Sequence, residues 1–170
     1  MTGSLWRVTR RPFANLGGEG ARLYGGRWNP VGSPCVYLSS TLSLAVLEVL
    51  VHTDPDLIPE DLVVLRVDVV DIEHQEPPVA TLPPRWRTEI GNADTQSFGG
   101  RWLSSRRTPL LLLPSAVLPL DASPPERNVL LNPLHPDVAD LRVAAVTSFC
   151  FDARLVSKGL GEREWESQGP

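Results

Sequence analysis

The sequence predicts one α+β domain, and three observations lead to this class. Short apolar segments typical of strands recur along the chain, one strongly apolar helical segment lies early, and strands and helices do not alternate regularly. Regular alternation is what a doubly wound parallel sheet would require. The length of 170 residues suits a single domain. Proline, at 17 residues, is about twice its average usage, which predicts long connections between short elements.

The first third of the chain contains two predicted strands and the predicted helix. Residues 5–9 (LWRVT) and 35–39 (CVYLS) contain the β-branched and aromatic side chains that strands favour. The helix begins after an N-cap at Ser40 or Thr41 and runs to about His52.

The segments between and after these elements are a loop, a strand and an irregular connection. Residues 12–26 are rich in glycine and predict a loop, whereas 62–70 (LVVLRVDVV) predict a β-branched strand. Arg66 and Asp68 in this strand are expected to share one face, because side chains alternate with a period of two. Prolines interrupt residues 77–87, which predicts irregular structure there.

The second half predicts shorter elements and a polar end. Its predicted elements are a helix over 94–106 with Asp94 as N-cap despite Gly99-Gly100, short strands at 110–113, 116–118 and 129–131, a helical turn at 136–140, and a final strand at 141–151. We expect residues 1–160 to form the domain and 161–170 to be a polar C-terminal tail.

Charge and composition argue against several classes of protein. The net charge is −4 and no Lys/Arg block is present, so direct nucleic-acid binding is not expected. No apolar run approaches the length of a membrane span, and the first residues lack the apolar core of a signal peptide. The two cysteines and three histidines show no zinc-binding spacing, so no metal site is expected. These features predict a cytoplasmic protein.

Glu48 is the most informative residue, because it is the one charge in an otherwise apolar helix. A carboxylate on a buried helix is costly unless a partner or a function compensates for its desolvation. It is therefore a candidate for stabilising positive charge in a pocket, and the alternative is a buried ion pair with Arg27 or Arg7. His52 lies four residues later on the same helical face and is expected to be structural.

Arg27 and Tyr37 are candidate ligand-binding residues upstream of the helix. Arg27 lies in the block GGRWN at 25–29, where glycines allow close backbone approach and a guanidinium can bind phosphate oxygens. The alternative is a tight turn whose arginine stacks on Trp28. Tyr37 could stack on a base or ring, although a core tyrosine is the simpler interpretation.

Ser115 and two asparagines are further candidates in the second half. Ser115 lacks the G-x-S-x-G context of a hydrolase nucleophile, and a triad with His135 and Asp137 is improbable. Asn128 and Asn132 flank an apolar triplet and either bind a ligand or mark turns. Asn132 precedes a proline, which favours a turn there.

In combination, these segments resemble the RES domain, a family of bacterial toxins from toxin–antitoxin systems. The resemblance extends in order from Trp6 to Arg154, and the family's motifs are WR at 6–7, GGRWN at 25–29, VYL at 36–38, A-x-x-E at 45–48, PSA at 114–116, NVLLNP at 128–133, HP at 135–136 and FD-x-R at 151–154.

The resemblance implies an ADP-ribosyltransferase-like fold and the degradation of NAD by phosphorolysis to nicotinamide and ADP-ribose 1″-phosphate. NAD would be a consumed substrate, with inorganic phosphate as co-substrate and no resident cofactor. The resemblance assigns catalytic roles to Arg27, Glu48 and Ser115. It assigns substrate binding to Arg27, Tyr37 and Asn128, with Asn132 as the alternative asparagine.

The resemblance also implies partners. The expected partner is an Xre/ParS-type antitoxin that occludes the site and makes any DNA contact, and the toxin is expected to form a homodimer within the larger complex. Two rival interpretations are mono-ADP-ribosylation of a protein and a catalytically inactive binding module.

Overall fold

Seven strands lie in one mixed sheet in the computed structural model, which describes residues 1–88, 92–118 and 125–156. The strands are β1 (Gly3–Arg10), β2 (Val36–Ser39), β3 (Leu62–Val69), β4 (His74–Gln75), β5 (Leu110–Leu113), β6 (Asn128–Leu131) and β7 (Val143–Ser148). Their order across the sheet is β4-β5-β6-β2-β1-β3-β7. All neighbouring strands pair antiparallel except β4 and β5, which are parallel.

Short helices connect these strands. The α-helices of the described residues are α1 (Glu19–Tyr24), α2 (Leu42–Leu50), α3 (Ala93–Ser105) and α4 (Ala153–Val156). Short 3-10 turns lie at Arg11–Phe13, Pro55–Leu57, Val79–Thr81 and Pro136–Asp140. The predicted α+β class is confirmed. In the part of the chain that the structure describes, no helix is long and apolar enough to cross a membrane.

Most of the predicted elements are present, and several details differ, among them α4 (Ala153–Val156), which was not predicted. Residues 116–118 form bends and not a strand, because the Ser115 hydroxyl accepts the backbone N–H of Val117 and closes a turn. The N-cap of α3 is Asn92, whose side chain accepts the N–H of Asp94, so the prediction of Asp94 was wrong. The predicted loop at 12–26 contains α1, and β4 was not predicted.

Three further predictions have different outcomes. The N-cap of α2 is Thr41, whose hydroxyl accepts the N–H of Leu44, so of the two candidates Thr41 is the residue used. Arg66 and Asp68 share a face of β3 and form an ion pair at 3.2 Å. The predicted tail at 161–170 lies outside the described residues.

The core lies on both faces of β5 and β6, whose leucines alternate between them. Leu111, Leu113 and Leu130 pack on one face with Trp102 and Leu103 of α3. On the other face lies a cluster made of Leu5, Val36, Leu38, Val67, Val69, Ile72, Leu110, Leu112, Val129, Leu131 and Val138. Burial on both faces explains why these strands are continuous apolar runs.

Two features of the fold position the site. Helix α3 lies against the backbone of Trp28, because Gly99 has no side chain to keep them apart. Within the described residues, β1 and β2 pair at Trp6 and Ser39 alone, whereas β1 pairs with β3 along its whole length. The strands β1 and β2 therefore diverge beyond Trp6, and a cavity opens beside them.

Candidate active site

A cavity of about 540 Å³ lies beside the diverging strands. Its walls come from β1, β2, α2 and the segment from α1 to Trp28, and Asn128 of β6 also contributes. Its charged lining residues are Arg7, Arg27 and Glu48, and His52 lines it from the turn after α2. Arg27 and Glu48 were predicted as site residues, whereas His52 was expected to be structural and Arg7 was considered only as an ion-pair partner.

Glu48 presents its carboxylate to this cavity from the second turn of α2. Glu48 is half-buried, whereas Leu44 and Ala45 of the same helix are fully buried. One oxygen, Oε1, accepts hydrogen bonds from the Ser115 hydroxyl at 2.7 Å and the Asn128 amide at 2.5 Å. Both donors are neutral and no described residue forms an ion pair with Glu48, so the buried ion-pair alternative is not what the structure shows.

Ser115 lies behind Glu48 and does not line the cavity. Its side chain is 1% exposed, donates to Glu48 Oε1, and accepts the backbone N–H of Val117 at 3.0 Å. The hydroxyl is thus fully used in fixing the carboxylate. His135 accepts the N–H of Asp137, so Ser115 and His135 do not form the contacts of a hydrolase triad.

The two candidate asparagines have different surroundings. Asn128 lines the cavity at the start of β6, donates to Glu48, and lies 3.4 Å from the Ser39 hydroxyl. Asn132 is buried, donates to the backbone oxygen of Leu103, and accepts from Leu134 in a turn. Asn128 therefore has the geometry of a site residue and Asn132 has that of a structural one.

Tyr37 faces the cavity with its ring while its hydroxyl is occupied by the protein. The hydroxyl donates to Asn29 Oδ1 at 2.8 Å and accepts the backbone N–H of Trp28 at 3.0 Å. Burial raises the pKa of Tyr37 well above its ordinary value. A side chain at Gly26 would lie 2.5 Å from this hydroxyl, which explains the glycine. Tyr37 can offer a ring surface for stacking, but its hydroxyl stays protonated at neutral pH and is unsuited to act as a base.

Arg27 lies between the glycine pair and the aromatic residues that cover α3. One of its guanidinium nitrogens donates to the backbone oxygen of Trp86, which fixes the side chain at the edge of the cavity. Trp28 is buried and packs on Trp86 and Phe98. These ring contacts of Trp28 are with aromatic side chains and do not include the stacking of Arg27 that was the predicted alternative.

Asn29 holds together the segments next to Arg27, and this role was not predicted. It is fully buried, and its amide donates to the backbone oxygens of Ala21, Pro30 and Ser33. Its carbonyl accepts from Tyr37. Asn29 thus connects α1, the following loop and β2. Its place in the GGRWN block is a signal, but these long-range partners cannot be read from the sequence.

Arg7 supplies a second cation to the cavity. It lies in β1, and its Nη1 donates to the backbone oxygens of Phe13 and Asn15 at 3.4 and 3.1 Å. Burial lowers the pKa of the Arg7 guanidinium, although an arginine stays protonated at neutral pH. In the described residues no group of three His, Cys, Asp or Glu side chains could hold a metal ion. The described side chains that line the cavity include two arginines and one glutamate.

Comparison with known proteins gives consistent relatives. A family model described as the RES domain matches residues 4–152. A protein of Sphingobium named "Prs ADP-ribosylating toxin" is 37% identical over 165 residues, which cover 93% of this chain and 99% of that protein. A "Toxin Res" of Photorhabdus laumondii is 36% identical over 155 residues, 89% of this chain and 96% of that protein.

A solved structure shares the fold. The matched chain comes from "Crystal structure of the M.tuberculosis MbcT-MbcA toxin-antitoxin complex", with a TM-score of 0.60 and 20% sequence identity. The match covers 88% of this chain and 85% of that chain. At this level of identity the likeness concerns the arrangement of strands and helices.

Proposed function

The chain belongs to the RES domain family, and from this premise we propose that it is a toxin that cleaves the nicotinamide–ribose bond of NAD. The proposed acceptor is inorganic phosphate, and the products are nicotinamide and ADP-ribose 1″-phosphate. One observation carries the proposal. Glu48 faces the cavity with Oε1 held by Ser115 and Asn128, while Oε2 accepts no hydrogen bond from the described residues.

This arrangement suits the transition state of NAD cleavage. As the bond from the ribose carbon to the nicotinamide nitrogen breaks, positive charge develops on the ribose. A fixed carboxylate stabilises this charge and can accept a hydrogen bond from a ribose hydroxyl. The two donors on Oε1 hold the carboxylate in place before the reaction, so little reorganisation is needed.

The leaving group explains why a single carboxylate suffices. Nicotinamide takes the electron pair of the broken bond and becomes neutral, because its ring nitrogen is cationic in NAD. No acid is needed to protonate it, whereas glycosidases use a second carboxyl group for that step. Glu48 is the one carboxylate among the described residues that line the cavity.

The same balance of protons supports the choice of phosphate as the proposed acceptor. A phosphate dianion attacks the ribose carbon without losing a proton, so it needs no general base. Water as acceptor would have to lose a proton to a base. Tyr37 is unsuited to that role because its hydroxyl is occupied and burial raises its pKa. We assign to Tyr37 a stacking surface on the nicotinamide side and to Arg27 the binding of the pyrophosphate.

A second candidate function is the ADP-ribosylation of a protein. The specific observation in its favour is the 37% identical relative that is named an ADP-ribosylating toxin. Both reactions share the cleavage step and differ in the nucleophile that meets the ribose carbon.

We propose also that an antitoxin of the Xre/ParS type covers this cavity. The solved relative is the toxin of a toxin–antitoxin complex. Exposed aromatic side chains, Phe13 and Tyr24, lie at the cavity wall and offer apolar surface for such a partner. A homodimer within the larger complex and a cytoplasmic location are part of this proposal.

Mass spectrometry of NAD incubated with the purified chain tests the proposal. We expect nicotinamide and ADP-ribose 1″-phosphate to appear when phosphate is supplied. Free ADP-ribose without phosphate dependence would indicate a glycohydrolase. Adenine-labelled NAD with a candidate target would place label on protein if the second function is correct. Intact NAD from folded protein free of antitoxin would contradict both functions.

A further inference from the structure

We infer that Gln96 of α3 is a positioning residue for Arg27, because it fixes the peptide group that precedes this arginine. Its side-chain amide donates to the backbone oxygen of Gly26 at 3.0 Å. Gln96 is not among the described residues that line the cavity, so it acts on a ligand through Arg27. The inference rests on the proposed function, in which Arg27 binds the pyrophosphate of NAD.

The peptide groups on both sides of Arg27 are held by side chains from distant elements. The carbonyl of Gly26 and the N–H of Arg27 belong to one planar peptide group, so the hydrogen bond from Gln96 fixes that plane. The peptide group after Arg27 contains the N–H of Trp28, which donates to the Tyr37 hydroxyl at 3.0 Å. Because both planes are fixed, the two backbone dihedral angles of Arg27 are fixed as well.

The glycine pair before Arg27 makes this donor important. Glycine has more backbone freedom than any other residue, and Gly25-Gly26 directly precede Arg27. The N–H of Gly26 donates to the backbone oxygen of Asn29 at 3.0 Å, while its carbonyl accepts from Gln96. Loss of the Gln96 donor would let the peptide group between Gly26 and Arg27 rotate, and the arginine side chain would move with it.

Helix α3 is packed closely enough against the loop to place the Gln96 amide with little freedom. The ring of Phe98 contacts that of Trp28 edge-on, with 5.9 Å between the ring centroids. At Gly99 the backbone of α3 lies directly against the backbone of Trp28. These contacts come two and three residues after Gln96, so they set the distance between the helix and the loop that carries Arg27.

The guanidinium of Arg27 is held separately from its backbone. It donates to the backbone oxygen of Trp86, and Trp86 packs on Trp28 with 6.1 Å between the ring centroids. Gln96 and Tyr37 thus fix the backbone of Arg27, whereas the residue at position 86 fixes the end of its side chain. An arginine that is ordered before binding loses less conformational entropy when a phosphate binds, and this preorganisation raises affinity.

Calorimetry with ADP tests the inference independently of catalysis. Gln96→Met removes the donor but keeps an uncharged side chain of similar length and a high helix propensity. We expect it to weaken ADP binding about 3- to 30-fold, because one hydrogen bond and the order that it imposes on Arg27 are lost. Ser97→Ala is the matched control, since Ser97 is the next residue of α3, is exposed and accepts a hydrogen bond from Arg101. Equal ADP affinity for Gln96→Met and wild type would overturn the inference.

A double-mutant cycle distinguishes positioning of Arg27 from a general effect on the fold. In an Arg27→Ala background, Gln96→Met should change ADP affinity less than about twofold, because no guanidinium is left to position. A loss as large as in the wild-type background would show that Gln96 acts independently of Arg27, and would overturn the inference. If Gln96→Met does not fold, Gln96→Ala removes the same donor with less bulk and takes its place in the cycle.

Kinetics with NAD provide a second readout that a purely structural role would not produce. For Gln96→Met we expect the KM for NAD to rise about 3- to 30-fold while kcat changes less than about threefold, because the pyrophosphate is bound alike in the ground state and the transition state. A fall in kcat alone would place the effect at the Glu48 end of the cavity and overturn the inference.

These measurements keep the inference separate from the proposed reaction. If wild type cleaves NAD while Gln96→Met matches it in ADP affinity and in KM, the inference fails and the proposed function stands. If wild type leaves NAD intact while the ADP cycle gives the expected result, the reaction fails and the role of Gln96 stands. Wild-type ADP affinity in Arg27→Ala would overturn both the inference and the role assigned to Arg27.

Discussion

At the scale of single residues, the carboxylate of Glu48 is oriented by neutral donors and not neutralised by a cation. Its two partners reach it from β6 and from the turn after β5, so three segments distant in sequence meet at one oxygen. An ion pair would cancel the negative charge that the proposed reaction requires. Hydrogen bonds from a hydroxyl and an amide keep the full charge and fix its direction.

We expect Glu48→Gln to fold normally and to lose NAD cleavage at least about 100-fold, because an amide cannot stabilise the developing positive charge as a carboxylate does. The measurement is the rate of nicotinamide release, with the melting temperature as a check on folding. Glu60→Gln makes the same chemical change on the exposed surface and should leave the rate unchanged. Equal rates for Glu48→Gln and wild type would refute the role of Glu48.

Ser115 is expected to act through Glu48 and not on the substrate. Ser115→Ala removes a hydrogen bond to a charged group, worth about 1.5–3 kcal/mol, and should lower kcat about 10- to 100-fold with little change in the KM for NAD. In a Glu48→Gln background the same substitution should cost less than about twofold, because effects within one unit are not additive. Ser104→Ala, at an exposed serine of α3, is the control. Full additivity would show that Ser115 acts independently of Glu48.

The sequence could indicate candidate residues but not their contacts. Arg27, Tyr37, Glu48 and Asn128 were named from their motifs, and all four line the cavity. Their assigned roles remain predictions. The position of Ser115 behind Glu48 was not predictable, because it depends on how the turn after β5 meets α2. Arg7 was not predicted to line a cavity, since a strand pattern does not reveal where neighbouring strands diverge.

At the scale of elements, α3 carries a close contact that its helix propensity would not suggest. A side-chain carbon at Gly99 would lie 1.8 Å from the backbone oxygen of Trp28, whereas one at Gly100 would lie 3.2 Å from the ring of Pro30. The Gly99-Gly100 pair weakens the helix by intrinsic propensity, at about 1 kcal/mol per glycine. Close packing requires glycine at position 99, because α3 approaches the backbone of the loop that carries Arg27.

This contrast predicts opposite outcomes for two neighbouring substitutions. Gly99→Ala should destabilise the protein by about 1–3 kcal/mol, because the added methyl group would overpack against the backbone of Trp28. Gly100→Ala should be neutral or slightly stabilising, because the gain in helix propensity offsets a small adjustment of Pro30. Urea unfolding of both variants measures the difference. Similar stability for the two variants would show that α3 does not approach Trp28 as closely as described.

Elements with a strong local pattern were predictable, and those that depend on distant partners were not. The apolar helix and the strands β1, β2, β3, β5, β6 and β7 follow from residue type and periodicity. The six residues of α1 include Gly20 and have no apolar periodicity. Strand β4 has two residues and exists through its pairing with β5, which is far away in the chain. No local window contains that information.

At the scale of the whole molecule, the family and the ADP-ribosyltransferase-like α+β fold implied by the sequence are confirmed by the matched relatives. The cavity exists because the pairing between two strands of the sheet is interrupted. Strands β5 and β6 are buried on both faces and form the packed core, while β1 and β2 diverge and leave the cavity between them. A rigid core beside a gap is a common way to hold a pocket open.

A buried cysteine just before β2 also predicts how the stability of the whole domain depends on pH. Cys35 is 1% exposed, and burial raises the pKa of its thiol above the ordinary value of 9.0, although nearby Arg7 opposes the rise. Unfolding restores the ordinary value. Above pH 9 the unfolded chain has therefore lost this proton and the native chain has kept it, so stability falls as pH rises.

We expect the free energy of unfolding of the wild type to fall between pH 8 and pH 10 by about 1.4 kcal/mol more than that of Cys35→Ala, the amount that one such thiol contributes over this range. Urea unfolding at the two pH values measures it, and Tyr37 contributes equally to both proteins. Cys150→Ser, which removes the exposed cysteine, should keep the wild-type dependence because Cys150 is already in solvent. If Cys35→Ala and wild type lose the same stability, the thiol of Cys35 is accessible in the native state, and β2 is less tightly covered than its burial indicates.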